Sequence, residues 1–373
     1  MLYRLILNLF TWYYEVLTKG AQMKFGTFHL YSMPESTTGY DVIQNHFQQA
    51  LAAEELGFHE VWLAEHSARA YGFNGNTVLA AAAIAAATKR IRIATAVTRL
   101  PLHHPLHLAE DLAYVDNLSQ GRLDWGIGKG YDQLEFGVYG VDFEEREERW
   151  QETYDAVRQM WDTGRTEFKG KFYNFDDAEL LPLPLQSPSL PTYLMVSGSE
   201  SSVVWAAERL LPIAIGSGPG WDDIRAKLEL YANVADTAGY PRDLIEKTVA
   251  NTWQLRQVHV AETTEQAIDE FREGLMWYMD SLSNRAMFGF ARESKDYEYY
   301  LEHGALVVGS PEKVVEDLKE YSARTGINNV ISWFSIGGQP QAQVLRGMQL
   351  FSEQVMPKLA NLTTDALSRQ IKA

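Results

Sequence analysis

The chain has 373 residues, 46% of them hydrophobic and 22% charged, with a net charge of −16 and no cysteine. That is enough chain for a full hydrophobic core, as one large domain or two medium ones. The acidic balance disfavours nucleic-acid phosphates and anionic membranes as partners, and the lack of cysteine excludes disulfides, thiolate metal sites and cysteine nucleophiles.

Residues 1–22 are apolar but contain Asn8 and Glu15. The run is too short to span a bilayer comfortably and lacks a small-residue cleavage site. It is expected to be an extension outside the fold, with a peripheral amphipathic anchor as the rival reading. Met23 then opens the first strand, "KFGTFHL". Helical spacing follows in "GYDVIQNHFQQALAAEELGF", which stops at Gly57. "EVWLAE" is strand-like, "TVLAAAAIAAATK" helical and "RIRIATAV" a buried strand. Pro105 can open the next helix and Gly121 end it. "RLDWGIG" is a strand, and the helix after it crowds acids at its N-terminus, where the helix dipole favours them.

Residues 166–191 hold four prolines and several turn signals, and read as a hairpin or long connection. Alternation resumes with the strand "TYLMVSG" and the helix "SESSVVWAAERL". "PIAIGSG", "VANTWQLRQVHVA" and "NNVISWFSI" are further strands with helices between and after them. Residues 283–308 form a second irregular insert. Eight strand candidates each followed by helical material indicate an α/β fold, a (β/α)8 TIM barrel with insertions, over residues 23–360, with a tail at 361–373. A doubly wound open sheet is the alternative.

In a barrel the chemistry sits at the C-terminal ends of the strands. Polar residues and glycines gather at those positions: 28–29, 65–66, 96–97, 128–130, 197–199, 216–217, 259 and 335–338. Glu65 and His66 close the second strand, and histidine is the side chain best suited to moving protons near neutral pH. A polar strand end meeting solvent is the plainer explanation. "WGIGKG" (125–130) lets backbone approach a ligand and offers Lys129 to an anion, yet it matches neither the dinucleotide fingerprint nor the Walker loop. "VSGSESSVV" (196–204) ends a strand and begins a helix with Gly198, Ser199 and Ser202, either an anion cradle or a simple N-cap. His103, His104 and His107 lack the further ligands that a zinc site requires.

Taken together, "MKFGTF", "EELGFHEVWLAEHS", "TKRIRIATAV", "LPLHHPLHLAEDLAYVDNLSQGRLDWGIGKG", "FGVYGVD" and "VVGSPEKVVEDLKEYSARTGINNV" resemble the bacterial-luciferase-like, flavin-dependent monooxygenases and oxidoreductases. The resemblance spans about residues 23–360. It implies a (β/α)8 barrel that binds reduced FMN, with His66 as the catalytic histidine, which Glu65 is expected to orient. It implies that Lys129, Ser199 and Ser202 hold the flavin phosphate, and Gly130 and Gly198 are expected to bind the cofactor beside them. Ala80 and Ala81 correspond to a small pair under the ring, joined in the family by a cis peptide, and Thr95 and Ala96 lie beneath the ring.

Three positions depart from luciferases, which carry a second histidine where Ser67 stands, a reactive cysteine where Gly128 stands and an arginine where Lys129 stands, the lysine keeping the charge but not the bidentate fork. A non-luminescent relative is therefore expected, acting with O2 on a small organic substrate. A separate flavin reductase, a homodimer and a cytoplasmic location are also expected. The insert at 283–308, with Phe288, Phe290, Tyr297, Tyr299 and Tyr300, is a candidate lid. A deazaflavin-dependent dehydrogenase and a non-catalytic flavin-binding protein are the alternatives.

Overall fold

The computed structural model describes residues 23–187, 190–218, 220–283, 295–303 and 306–360. The expected extension at 1–22, the tail at 361–373, and Phe288 and Phe290 of the candidate lid lie outside them. Eight parallel strands close into a barrel: β1 (Lys24–His29), β2 (Glu60–Leu63), β3 (Arg92–Thr95), β4 (Leu123–Gly128), β5 (Thr192–Val196), β6 (Ile213–Ile215), β7 (Trp253–Val260) and β8 (Asn329–Trp333). Each pairs with the next, and β8 closes on β1 with Lys24 opposite Asn329. These are the eight strands the sequence indicates, so the open-sheet alternative is set aside.

Period-two alternation divides the core into two layers. Phe28, Trp62, Tyr193, Trp253, Ile331 and Trp333 fill the barrel interior. Phe25, Val61, Leu63, Ile93, Trp125, Leu194 and Val330 face outward onto the helices. The helices α1 (Gly39–Glu55), α2 (Thr77–Ala87), α3 (Pro105–Leu118), α4 (Gln133–Tyr139), α5 (Arg146–Thr163) and α6 (Glu200–Ala207) follow in chain order. Their starts are locally encoded. Thr38 and Asp41 form a reciprocal capping box on α1, Asn76 caps α2, and Asp132 caps α4.

The two irregular regions contain regular elements among the described residues. Residues 166–191 contain the small antiparallel pairing Phe168–Lys169 with Asn174–Phe175. The insert at 283–308 includes the helix Tyr297–His303 and a strand, Leu306–Gly309, that pairs with β7. Tyr297 is buried and its hydroxyl donates to the Ile268 carbonyl at 2.5 Å, which anchors that helix to the body of the fold. A further helix, Arg242–Ala250, precedes β7 and takes in Val249 and Ala250, which the sequence pattern places at the start of that strand.

Candidate active site

His66 follows β2 at the C-terminal mouth of the barrel and is 9% exposed. Its Nδ1 lies 3.1 Å from Glu135 Oε1, and the Tyr71 hydroxyl is within reach of both ring nitrogens, 2.9 Å from Nδ1 and 3.1 Å from Nε2. The Tyr131 hydroxyl stands 2.7 Å from that of Tyr71 and 3.4 Å from Nε2. A ring nitrogen bonded to a carboxylate carries the proton, so Nδ1 donates to Glu135 and Nε2 faces the phenols.

The expectation that Glu65 orients His66 is corrected. Successive residues of an extended segment point to opposite faces. Ala64 lies with the barrel interior, and Glu65 turns the other way, toward the helices. There it meets Arg99 Nε at 2.9 Å, His103 Nε2 at 2.9 Å and the Thr77 hydroxyl at 3.3 Å. Glu135, on α4, is the carboxylate that serves His66, and no sequence motif marks it.

Arg99 joins the two acids. Its Nη1 forms an ion pair with Glu135 Oε2 at 2.7 Å, and its Nη2 donates to the Ser67 hydroxyl at 2.9 Å. Burial alone would raise the Glu135 carboxyl, but His66, Arg99 and the Ser67 N–H carry it below the usual carboxylate range. Glu65 behaves alike: burial opposes, and His103 and Arg99 prevail. The loop bearing His66 is clamped to α4 by a bidentate Arg69–Asp132 pair at 2.7 and 2.8 Å, and by the Ser67 N–H donating to Glu135 Oε1 at 2.8 Å.

The anion-binding residues leave adjacent strands. β4 pairs with β5, Ile127 opposite Leu194, so Lys129 and the Ser197–Gly198–Ser199 turn follow neighbouring strand ends. Lys129 Nζ lies 2.7 Å from Glu147 Oε2 and 5.4 Å from the centre of the Trp150 ring. Trp150 packs at 4.4 Å on Trp205 of α6, which ties the Lys129 site to that helix. Ser199 is the N-cap of α6, yet its hydroxyl makes no capping bond and instead sits 2.7 Å from the Ser201 hydroxyl. Ser202 is buried in the first turn, and a Cβ on Gly198 would meet nothing within 4 Å. Gly130 takes φ +75°, a conformation that favours glycine.

A lysine and an uncapped, hydroxyl-bearing helix N-terminus at adjacent strand ends fit a phosphate group. A buried histidine with two phenols, one strand over from the β3 end, fits the reacting end of a planar cofactor. The residues present therefore suit FMN.

Thr95 and Ala96 lie at the end of β3. The Thr95 hydroxyl donates to the Gly126 carbonyl at 2.8 Å and accepts from the Gly126 N–H at 2.9 Å. A Cβ at Gly126 would come within 1.8 Å of the Thr95 carbonyl oxygen, so this crossing requires glycine. The non-proline cis peptide is here, at Ala96–Val97. The assignment of Ala80 and Ala81 is thereby corrected. Both lie inside α2, Ala81 fully buried, and helical hydrogen bonding requires trans peptides there.

Among the described residues, no three metal-ligating side chains converge, and no helix is long and apolar enough to cross a membrane. A cavity of about 570 Å3 opens at the opposite, N-terminal end of the barrel, where Lys24, Glu60, Arg92, Asp124 and Trp253 line it, and it contains none of the site residues.

Comparison with known proteins agrees with this fold. The alkanal monooxygenase alpha chain of the Kryptophanaron alfredi symbiont is 27% identical over 358 residues, covering 90% of this chain and 98% of that protein. The monooxygenase RslO1 from Streptomyces bottropensis superposes with a TM-score of 0.81 at 26% identity, covering 90% and 99% of the two chains. The oxygenating constituent of 3,6-diketocamphane monooxygenase from Pseudomonas putida, solved in complex with FMN, shares the fold with a TM-score of 0.76 at 20% identity and covers 92% and 99%. The family model described as luciferase-like monooxygenase matches residues 23–329, and this chain belongs to that family.

Proposed function

We propose that this chain is the oxygenating component of a two-component system, a non-luminescent monooxygenase that uses reduced FMN and O2 on a small organic substrate. The observation that supports this reading is that Lys129 and the uncapped N-terminus of α6 follow adjacent strands, β4 and β5, at the end of the barrel where His66 also lies. Lys129, Gly130, Ser199 and Ser202 would hold the phosphate, and Gly198 leaves room for it. Thr95 and Ala96 would lie under the ring. Reduced FMN supplies the electrons that activate oxygen.

The chain's own groups bind, orient and manage protons. Glu135 fixes His66 with its proton on Nδ1, leaving Nε2 to exchange a proton with substrate through the Tyr71 hydroxyl. The buried aromatic residues Phe28, Tyr71 and Trp333 restrict water at the mouth. Gly128 and Ser67 replace the cysteine and second histidine of luciferases, which supports chemistry without light. A separate reductase would deliver the reduced flavin.

Equilibrium titration tests the reading. FMN should bind about 100-fold more tightly than riboflavin, because the phosphate contacts are charge-assisted. Tighter binding of a deazaflavin coenzyme than of FMN, with hydride transfer to it, would assign the chain to dehydrogenase chemistry instead.

A further inference from the structure

We propose that His103 is a positioning residue for His66: the two imidazoles are linked end to end through the buried chain Glu65–Arg99–Glu135, so that the charge on one sets the proton affinity of the other. The inference rests on His66 being the proton-handling group of the site.

The chain of contacts is continuous. His103 Nε2 lies 2.9 and 3.0 Å from the two oxygens of Glu65. Glu65 Oε1 also takes Arg99 Nε at 2.9 Å, Arg99 Nη1 pairs with Glu135 at 2.7 Å, and Glu135 holds His66 Nδ1 at 3.1 Å. The side chains of Glu65, Arg99 and Glu135 are 0%, 2% and 1% exposed. Water therefore screens little of their interaction.

Charge balance gives the linkage its sign. Two buried carboxylates face one guanidinium, which leaves one negative charge uncompensated, a costly state in a dry interior. The imidazoles terminate the chain at its two ends. When His103 carries a proton, Glu65 is satisfied and Arg99 is free to compensate Glu135, so Glu135 draws less strongly on a proton at His66. When His103 is neutral, Glu65 engages Arg99, and Glu135 favours the imidazolium at His66.

The surrounding groups do not supply the missing charge. Arg69 is engaged bidentately with Asp132. Tyr71 and Tyr131 face His66 with hydroxyls, and Tyr139 faces the Ser67 hydroxyl and the Arg99 guanidinium. Thr77 gives Glu65 a neutral hydroxyl, and the Tyr173 hydroxyl meets the His103 carbonyl. His104 turns away, toward His107, Tyr173 and Phe175.

The test is a pH titration of the histidine side chains by NMR in the full chain labelled with 15N-histidine. The chain has 9 histidines, and each resonance is assigned by its loss on substitution. In His103→Gln, where the amide still donates to Glu65 but cannot carry charge, His66 should bind its proton about threefold more tightly or better. His104→Gln should leave it unchanged. By linkage, His66→Gln should tighten proton binding at His103 by the same factor. That reciprocal measurement carries the test alone if His103→Gln does not fold. Identical titrations with and without the partner imidazole would overturn the proposal. No flavin is needed, so coupled titrations in a chain that fails to bind FMN would leave this linkage standing and remove the functional reading instead.

Discussion

His66 and Glu135 lie 69 residues apart in sequence and 3.1 Å apart in space, Nδ1 to Oε1. The contact brings the end of β2 and the helix after β4 into one proton-handling unit. The carboxylate is held below its usual range by the groups it serves, so it remains an anion able to fix the imidazole tautomer.

That relationship predicts a graded series. His66→Ala should lower the oxygenation rate about 100- to 10,000-fold, the usual span for losing a general acid or base. Glu135→Gln should cost less in rate and move the pH profile, because the imidazole stays but loses its anionic partner. Steady-state kinetics across pH checks this. A Glu135→Gln profile that overlays the unmodified chain would show that the contact plays no part in proton transfer.

Lys129 is paired with Glu147 rather than standing open, so an incoming phosphate competes with a carboxylate that is nearly half exposed. Lys129→Met should weaken FMN binding about 10- to 100-fold while sparing riboflavin. Lys129→Arg should retain most of the affinity. Glu147→Gln should tighten FMN binding by removing the competitor. Fluorescence titration of the flavin measures all three, and an unchanged affinity in Lys129→Met would move the phosphate elsewhere.

The sequence carried much of this and missed parts for physical reasons. The strands were legible because alternation and turn residues are local signals, and Lys129 and Ser199 stand out as candidates because they sit at strand ends. Glu135 was not, because it lies on a helix whose contact with His66 is tertiary. Glu65 was assigned to the wrong neighbour, although alternation along β2 already sends Glu65 and His66 to opposite sides. The resemblance points to Ala80 and Ala81, within an alanine-rich helix, for the cis pair, whereas the cis bond joins Ala96 to Val97, where β3 crosses Gly126.

Arg99 is the central ion of the buried network, and its removal should be felt in stability. Arg99→Met leaves Glu65 and Glu135 buried without their shared counter-charge, and should destabilise the fold by about 3–5 kcal/mol. Chemical denaturation at neutral pH measures it. A loss below about 1 kcal/mol would mean that water or rearrangement compensates the carboxylates.

A second histidine pair bears on acid stability. His29 Nδ1 lies 3.1 Å from His46 Nδ1, the Thr27 hydroxyl is 3.0 Å from His29 Nε2, and the Tyr31 ring stacks on His46 at 4.4 Å. Burial pushes His46 down to about 3, and burial together with His46 pushes His29 down as well. Between pH 6.5 and about 3 the unfolded chain therefore binds protons that the folded chain refuses. The contribution to stability is full above pH 6.5 and is lost as pH falls through that window. His46→Met should move the midpoint of acid unfolding to lower pH, as followed by circular dichroism. A midpoint that stays put would assign acid unfolding to other groups.

The reaction of the bound, reduced cofactor with oxygen tests the central claim most directly. Anaerobic protein loaded with reduced FMN, mixed with O2 in a stopped-flow instrument, should oxidise about tenfold more slowly than free reduced FMN, because the mouth around His66 restricts water and fixes the proton donors. Oxidation as fast as that of free flavin, with the flavin fully bound, would contradict the account.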